Sequence, residues 1–233
     1  MTDKIEYPML PEPRTVRLRF KKTGALQYIS HLDLQRSFIR ILARAELPLW
    51  FTQGFNPHPK LVFALPLAIG TESVCELADI RIERDMPCDE ILKRLGTASS
   101  GGLEFTDCYV PSAKFAEITG TEYTITLELG EDDAKAFSEK AFETLTSSPI
   151  VIRKRTKSGE KEVDISGMIS RLRIDRKRGN VTINAVLSAG EGNTLNPENL
   201  LDALRAATGL PDAETEYSCM RLKMLCKDGA EFR

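Results

Sequence analysis

RTVRLRFKKTGALQYISHLDLQRSFIRILARAE, residues 14–46, changes its hydrophobic period from two to between three and four. Over residues 14–21, Val16, Leu18 and Phe20 alternate with Arg17, Arg19 and Lys21, the pattern of a half-buried strand. Ser30 then supplies an N-cap, Asp33 an acid in the first turn, and Pro48 a stop, which predicts a helix over 31–46. On that helix Leu34, Phe38, Ile41, Leu42 and Ala45 share the face that packs. Arg36, Arg40 and Arg44, four residues apart, form a cationic stripe on the other.

Outward from this strand and helix, strand-like segments at 48–53, 60–67 and 75–83 precede a helix at 88–97 and a strand at 103–109. That order fits the split βαβ arrangement of a ferredoxin-like domain. VPSAKFAEITGT, residues 110–121, breaks the pattern with proline, serine and glycine. It begins again with a strand at 123–129, a helix at 132–146, strands at 149–156, 161–164 and 180–188, a helix from Pro197 to Ala207 capped by Asn196, and a strand at 216–226. The predicted fold class is α+β, with two tandem ferredoxin-like units built on antiparallel sheets. The expected boundaries are an N-terminal extension at 1–13, a first domain at 14–110, a linker at 111–121 and a second domain at 122–233. The two halves show no obvious sequence repeat, so the duplication follows from element order.

With 233 residues and 42% hydrophobic content the chain can bury a sizeable core. Its longest apolar run, LVFALPLAI at 61–69, is interrupted by proline and too short to span a bilayer. The opening MTDKIEYPMLPEP has no signal-peptide character. Five widely spaced cysteines point away from a disulfide framework, so a cytoplasmic location is expected. A net charge of -2 conceals segregation: residues 14–60 carry nine Lys/Arg against two acids, and residues 153–178 carry ten against four. Such clustering creates local positive fields, although solvated faces of strands and helices have the same composition.

GFNPHPK, residues 54–60, is the most unusual local chemistry. Its two prolines fix φ and remove donors, so Asn56, His58 and Lys60 are presented on a stiff segment suited to gripping a phosphate or a base edge. The alternative is a demanding bend whose Asn and His bond the backbone. His31, at the start of the predicted helix with Tyr28 and Asp33 close in sequence, is a candidate acid or base; a capping or packing histidine is the plainer reading. His58 is the other catalytic candidate. The three-arginine stripe suits a phosphate backbone, and Arg17, Arg19 and Lys21 would widen the patch if their strand face lies beside it. Against this stands a helix surface whose cations pair with acids. No sheet face carries aromatics for base stacking. RKRTKSGEK, 153–161, reads as a basic hairpin with Ser158 and Gly159 at its tip. Two histidines make a poor metal site, and no metal or cofactor is expected. Walker, GxGxxG, GxSxG and HExxH motifs are absent, and AGEGN at 189–193 lacks the setting of a phosphate loop.

RLRFKKTGALQYISHLDLQRSFIR, GFNPHPKLVFALPLAIG, DISGMISRL, NPENLLDAL and the arginine-bearing segment from Met220 to Leu225 together resemble the radical-SAM-linked proteins. This is a bacterial family of unknown function, typically encoded beside or fused to a cobalamin-binding radical SAM protein. The resemblance implies such a protein as partner. Lacking CxxxCxxC and CxxC, this chain has no three-thiolate motif for a radical SAM cluster, so that chemistry would belong to the partner. Members also occur near ribonuclease G-type and ribosomal genes, which turns the implication towards tRNA or rRNA. The leading expectation is a non-catalytic RNA-binding accessory factor. A second reading is a metal-independent endoribonuclease using His31 and Tyr28: tandem ferredoxin-like domains with a histidine after the first strand resemble the CRISPR repeat-processing endoribonucleases, although no convincing glycine-rich loop stands near the C-terminus here. A third is a protein-protein adaptor that does not bind RNA.

Overall fold

A computed structural model of the chain describes residues 6–99, 102–147, 149–156, 159–190, 192–210 and 216–233; of residues 154–156 and 160 only the backbone is described. The fold is mixed α+β, with antiparallel strand pairing and four α-helices among the described residues. It divides into two compact units, one up to Phe115 together with Arg233, the other Ala116–Phe232.

In the first unit the strands are β1 (Met9–Lys22), β2 (Leu61–Phe63), β3 (Thr71–Arg84) and β4 (Leu103–Tyr109), and the helices α1 (His31–Arg44) and α2 (Cys88–Ala98). The order is β4-β1-β3-β2, every neighbouring pair antiparallel. β1 starts five residues before the expected position, inside the stretch read as an extension, because Met9 pairs with Arg84 across a register shift. α1 ends at Arg44, since Glu46 takes φ 49, outside the right-handed helix. Its N-terminus is closed as a reciprocal cap: the Asp33 N–H donates to Ser30 Oγ (3.1 Å) and the Ser30 hydroxyl donates to Asp33 Oδ2 (2.7 Å).

Aromatic rings lock α1 to the sheet. Phe38 meets Phe20 of β1 at 4.8 Å, Phe63 of β2 at 5.0 Å and Phe105 of β4 at 5.2 Å between centroids, all edge to face. Leu34, Ile41 and Leu42 bury the rest of that helical face.

The second unit contains β5 (Ile118–Glu128), α3 (Glu131–Thr146), β6 (Val151–Thr156), β7 (Gly159–Asp164), β8 (Ile169–Lys177), β9 (Asn180–Ser188), α4 (Pro197–Thr208) and β10 (Tyr217–Cys226). Its order is β10-β5-β9-β8, again antiparallel. The expected strands at 149–156 and 161–164 exist as β6 and β7, but they pair with each other as a separate ribbon. The place beside β9 belongs to β8, which the period-two reading does not find. A register shift between Ser170 and Arg173, with Arg171 at φ 49, spaces the apolar residues as Ile169, Leu172 and Ile174. Arg178 (φ 49) and Gly179 (φ 79) form the two-residue turn from β8 to β9. A Cβ on Gly179 would lie 2.5 Å from the Leu129 carbonyl oxygen, so this turn accepts only glycine there. Asn196 caps α4 through the Glu198 N–H (3.2 Å), Pro197 occupies its first turn, and Gly209 at φ 75 ends it.

Candidate functional site

The sheet edge of the first unit carries the segment the sequence marks as unusual. Leu49 bridges Ile82 and the Trp50 N–H donates to the Arg81 carbonyl, so the chain begins as a strand along β3. It leaves after Phe51 and rejoins at Leu61, which pairs with Ile80. The expected strands at 48–53 and 60–67 therefore shrink to these bridges and the three residues of β2. Proline at 57, 59 and 66 removes the donors a longer ladder would need.

What leaves the edge is a braced finger. Phe51 bridges Pro59, the Thr52 N–H donates to the His58 carbonyl (2.9 Å), and the His58 N–H donates to Thr52 Oγ1 (3.2 Å). His58 Nδ1 lies 3.1 Å from the Asn56 carbonyl oxygen. A carbonyl can only accept, so in the neutral ring Nδ1 carries the proton and Nε2 is the acceptor. His58 thus holds the bend. At the tip, Gly54 takes φ 134 and the Phe55 side chain is fully exposed, at 112%. Gln53 and Asn56 are also exposed, and their side chains make no hydrogen bond with the described residues; Lys60 is exposed at the base.

α1 lies over the same margin. The His31 ring stands edge-on to Phe63 at 5.1 Å, and Phe38, two helical turns further along α1, packs on the same Phe63 ring. Arg36, Arg40 and Arg44 all point to solvent. Arg36 pairs with Asp33 at 3.3 Å, whereas Arg40 and Arg44 make no ion pair or side-chain hydrogen bond with the described residues. The Ser30 hydroxyl, with a smaller contribution from Arg36, holds the Asp33 carboxyl below its ordinary range. A depressed folded-state pKa gives stability that is present above the unfolded value and lost as pH falls through the folded one. Ser30→Ala is expected to raise the Asp33 pKa in an NMR titration and, by loss of the cap, to cost about 1 kcal/mol at neutral pH in a denaturant titration.

The outer face of β1 departs from expectation. Arg17 is 1% exposed: its Nε and Nη2 grip Asp79 at 2.7 and 2.9 Å, its guanidinium covers the Phe115 ring at 4.1 Å, and Nη1 donates to the Arg233 carbonyl. It is a buried structural ion pair and no part of an exposed patch. Arg19 is half-buried, and Lys21 is bound to Glu104 on β4 at 2.9 Å. Arg36, Arg40, Arg44 and Lys60 remain exposed, as do Lys93 and Lys114 elsewhere in this unit.

Tyr28 is 68% exposed, and neither its hydroxyl nor the His31 imidazole makes a hydrogen bond with a described residue. Nothing polar aims either ring at the other. Among the described residues no group of three or more His, Cys, Asp and Glu could hold a metal ion, all five cysteines are free, and no helix is long and apolar enough to cross a membrane. A cavity of about 690 Å³ beside Tyr7, Leu47 and Met86 has its two arginines occupied, Arg94 by Glu90 at 2.7 Å and Arg84 by the Tyr7 carbonyl at 2.9 Å. Ser158, expected from the sequence at the tip of a basic hairpin, lies outside the described residues, as does residue 157.

Residues 15–197 match the family model described as "Uncharacterized protein conserved in bacteria (DUF2344)". The chain belongs to the DUF2344 family. No match is found among curated proteins. Among solved structures, a chain of a Cbf5-Nop10-Gar1 complex is similar at 12% identity and a TM-score of 0.48, over 95% of this chain and 56% of that one. An unknown protein from Galdieria sulphuraria is similar at 7% identity and a TM-score of 0.26, over 90% and 99%. Both likenesses fall below the level at which they bear on function.

In this DUF2344 chain, then, the helix that bears the stripe lies over β2, next in sequence to the segment with Asn56, His58 and Lys60, while Arg17 is buried and Lys21 is paired with Glu104 at the surface. Phe55 and Gln53 are the residues that the sequence reading omits. An aromatic between Gly54 and Asn56 has no place in either a helical or a strand period. That isolation is the signal of its exposure.

Proposed function

We propose that this DUF2344 protein is a non-catalytic RNA-binding accessory factor of the cytoplasm that presents tRNA or rRNA to a cobalamin-binding radical SAM partner. The observation that carries the RNA part is the pair Arg40 and Arg44, exposed and without a partner among the described residues, continuing Arg36 along one helix. Uncommitted guanidinium groups on a rigid, core-anchored helix are suited to phosphate oxygens, whereas internally paired cations would have to exchange one partner for another. The partner rests on the resemblance of the sequence motifs to the radical-SAM-linked proteins. We read each unit as a ferredoxin-like domain, which the order β4-β1-β3-β2 in the first and β10-β5-β9-β8 in the second supports; the ribbon of β6 and β7 is then an insertion ahead of β8.

A second reading, a protein-protein adaptor, is favoured by the exposure of Leu32, Phe51 and Val62. Titration of the purified protein with labelled tRNA and rRNA fragments across a salt series separates the two. Binding that weakens steeply with salt while the RNA stays full length supports the accessory factor. Shortened RNA, abolished in His31→Ala with binding retained, would replace it with the endoribonuclease. Absence of binding at low salt leaves the adaptor.

A further inference from the structure

We infer that the finger of residues 52–59 makes this surface selective for unpaired RNA, Phe55 stacking on a base while Gln53 and Asn56 meet base edges. The inference rests on the RNA reading above and assigns a ligand class to the same margin.

Gln53, Gly54, Phe55, Asn56 and Pro57 carry no charge, although the helix beside them presents three arginines. Phosphate contacts position a nucleic acid and base contacts specify it, and they require different chemistry. The helix has the first kind and the finger the second: an aromatic face flanked by two amides, each with donor and acceptor capacity. An apolar protein pocket would accept Phe55 but would strip water from both amides without returning hydrogen bonds. The edges of an unpaired base return them, while the base face covers the ring. In a duplex that face is already stacked, so the ring gains nothing there.

Rigidity makes the tip usable. The Phe51-Pro59 bridge, the paired Thr52 and His58 backbones and the His58 ring under the Asn56 carbonyl fix the finger before anything binds. Little conformational entropy then remains to be lost on docking. Because β2 lies beneath α1 through the contacts of Phe63 with His31 and Phe38, the finger rises beside the helix that bears the stripe. A single strand can follow the arginines and turn one base onto Phe55.

The test uses the full chain with an oligoribonucleotide of roughly 12 nucleotides, alone and annealed to its complement. Wild type should favour the single strand, and Phe55→Ala should weaken single-strand binding by about 10-fold while leaving the duplex unchanged. Phe55→Tyr should retain binding, whereas Phe55→Leu, which keeps apolar bulk without a flat π face, should behave like alanine. Full exposure of the side chain makes all three variants compatible with folding. Equal single-strand affinity in wild type and Phe55→Ala, with salt-sensitive binding still present, overturns the finger's role and leaves the RNA reading standing. Retention of affinity by Phe55→Leu rejects base stacking. No binding of either RNA by wild type at low salt removes both claims and points Phe55 towards a protein pocket.

Discussion

Replacing Arg36, Arg40 and Arg44 together by glutamate is expected to weaken RNA binding by about 100-fold near physiological salt while leaving the protein folded. Three attractive contacts become three repulsive ones; at about 0.5 kcal/mol for each exposed interaction lost or reversed, the change approaches 3 kcal/mol, or two powers of ten. The salt dependence should flatten as well. Each phosphate contact on a single strand contributes about 0.7 to the slope of log affinity against log salt, so three contacts remove about 2. The fold should tolerate the change, because Arg40 and Arg44 have no partner among the described residues and the Arg36-Asp33 pair is exposed, with side chains 61% and 57% accessible. The added acid near the helix C-terminus opposes the macrodipole by roughly 0.3–1 kcal/mol, well below the binding effect. A triple glutamine variant removes that complication and should fall between wild type and glutamate. Electrophoretic or anisotropy titration at several salt concentrations, beside a melting curve for each variant, reads both consequences. An unchanged slope with a normal melt would place the RNA surface elsewhere or remove it.

How much of this surface can be read in the sequence depends on whether neighbours along the chain decide it. α1 is legible at its start because Ser30 closes its own N-terminus, whereas Pro48 stands four residues beyond the end at Arg44, which the turn at Glu46 sets; its buried face follows from the 3.6-residue repeat. β9 and α4 are legible for the same local reasons, an unbroken alternation in one and Asn196-Pro197 in the other. β8 is not, because the irregularity at Arg171 moves its apolar residues off a period of two. The stiffness of 54–60 is visible in its prolines, but the direction in which His58 points is not. Only the Phe51-Pro59 closure brings its ring to Thr52 and the Asn56 carbonyl. Arg17 shows the limit most sharply. Alternation along β1 assigns it to the polar face with Arg19 and Lys21, and that face turns out to be covered at Arg17. Its partner Asp79 is identified only by the register of β1 against β3, in which the two residues are directly opposite.

That pairing yields the largest stability effect expected outside the hydrophobic core. Asp79→Ala should destabilise the first unit by about 3 kcal/mol, because it removes both carboxylate contacts from a guanidinium that remains out of water. Arg17→Met should cost less. It deletes the buried charge along with its partnership, keeps apolar bulk against Phe115, and leaves Asp79, whose side chain is 19% exposed, with some access to water. The double variant should therefore be more stable than Asp79→Ala alone, the sign that distinguishes a buried pair from two independent surface residues. Trp50, the chain's one tryptophan, lies in the first unit against the Arg81 guanidinium at 4.9 Å, so its fluorescence in a urea titration follows this unit. Equal losses for the two single variants, or additive behaviour in the double, would contradict the pair. The same Arg17→Met protein also tests the division between structural and binding cations. A phosphate-facing Arg17 would contribute to the salt slope, whereas one enclosed by Asp79 and Phe115 leaves the slope at its wild-type value while stability falls.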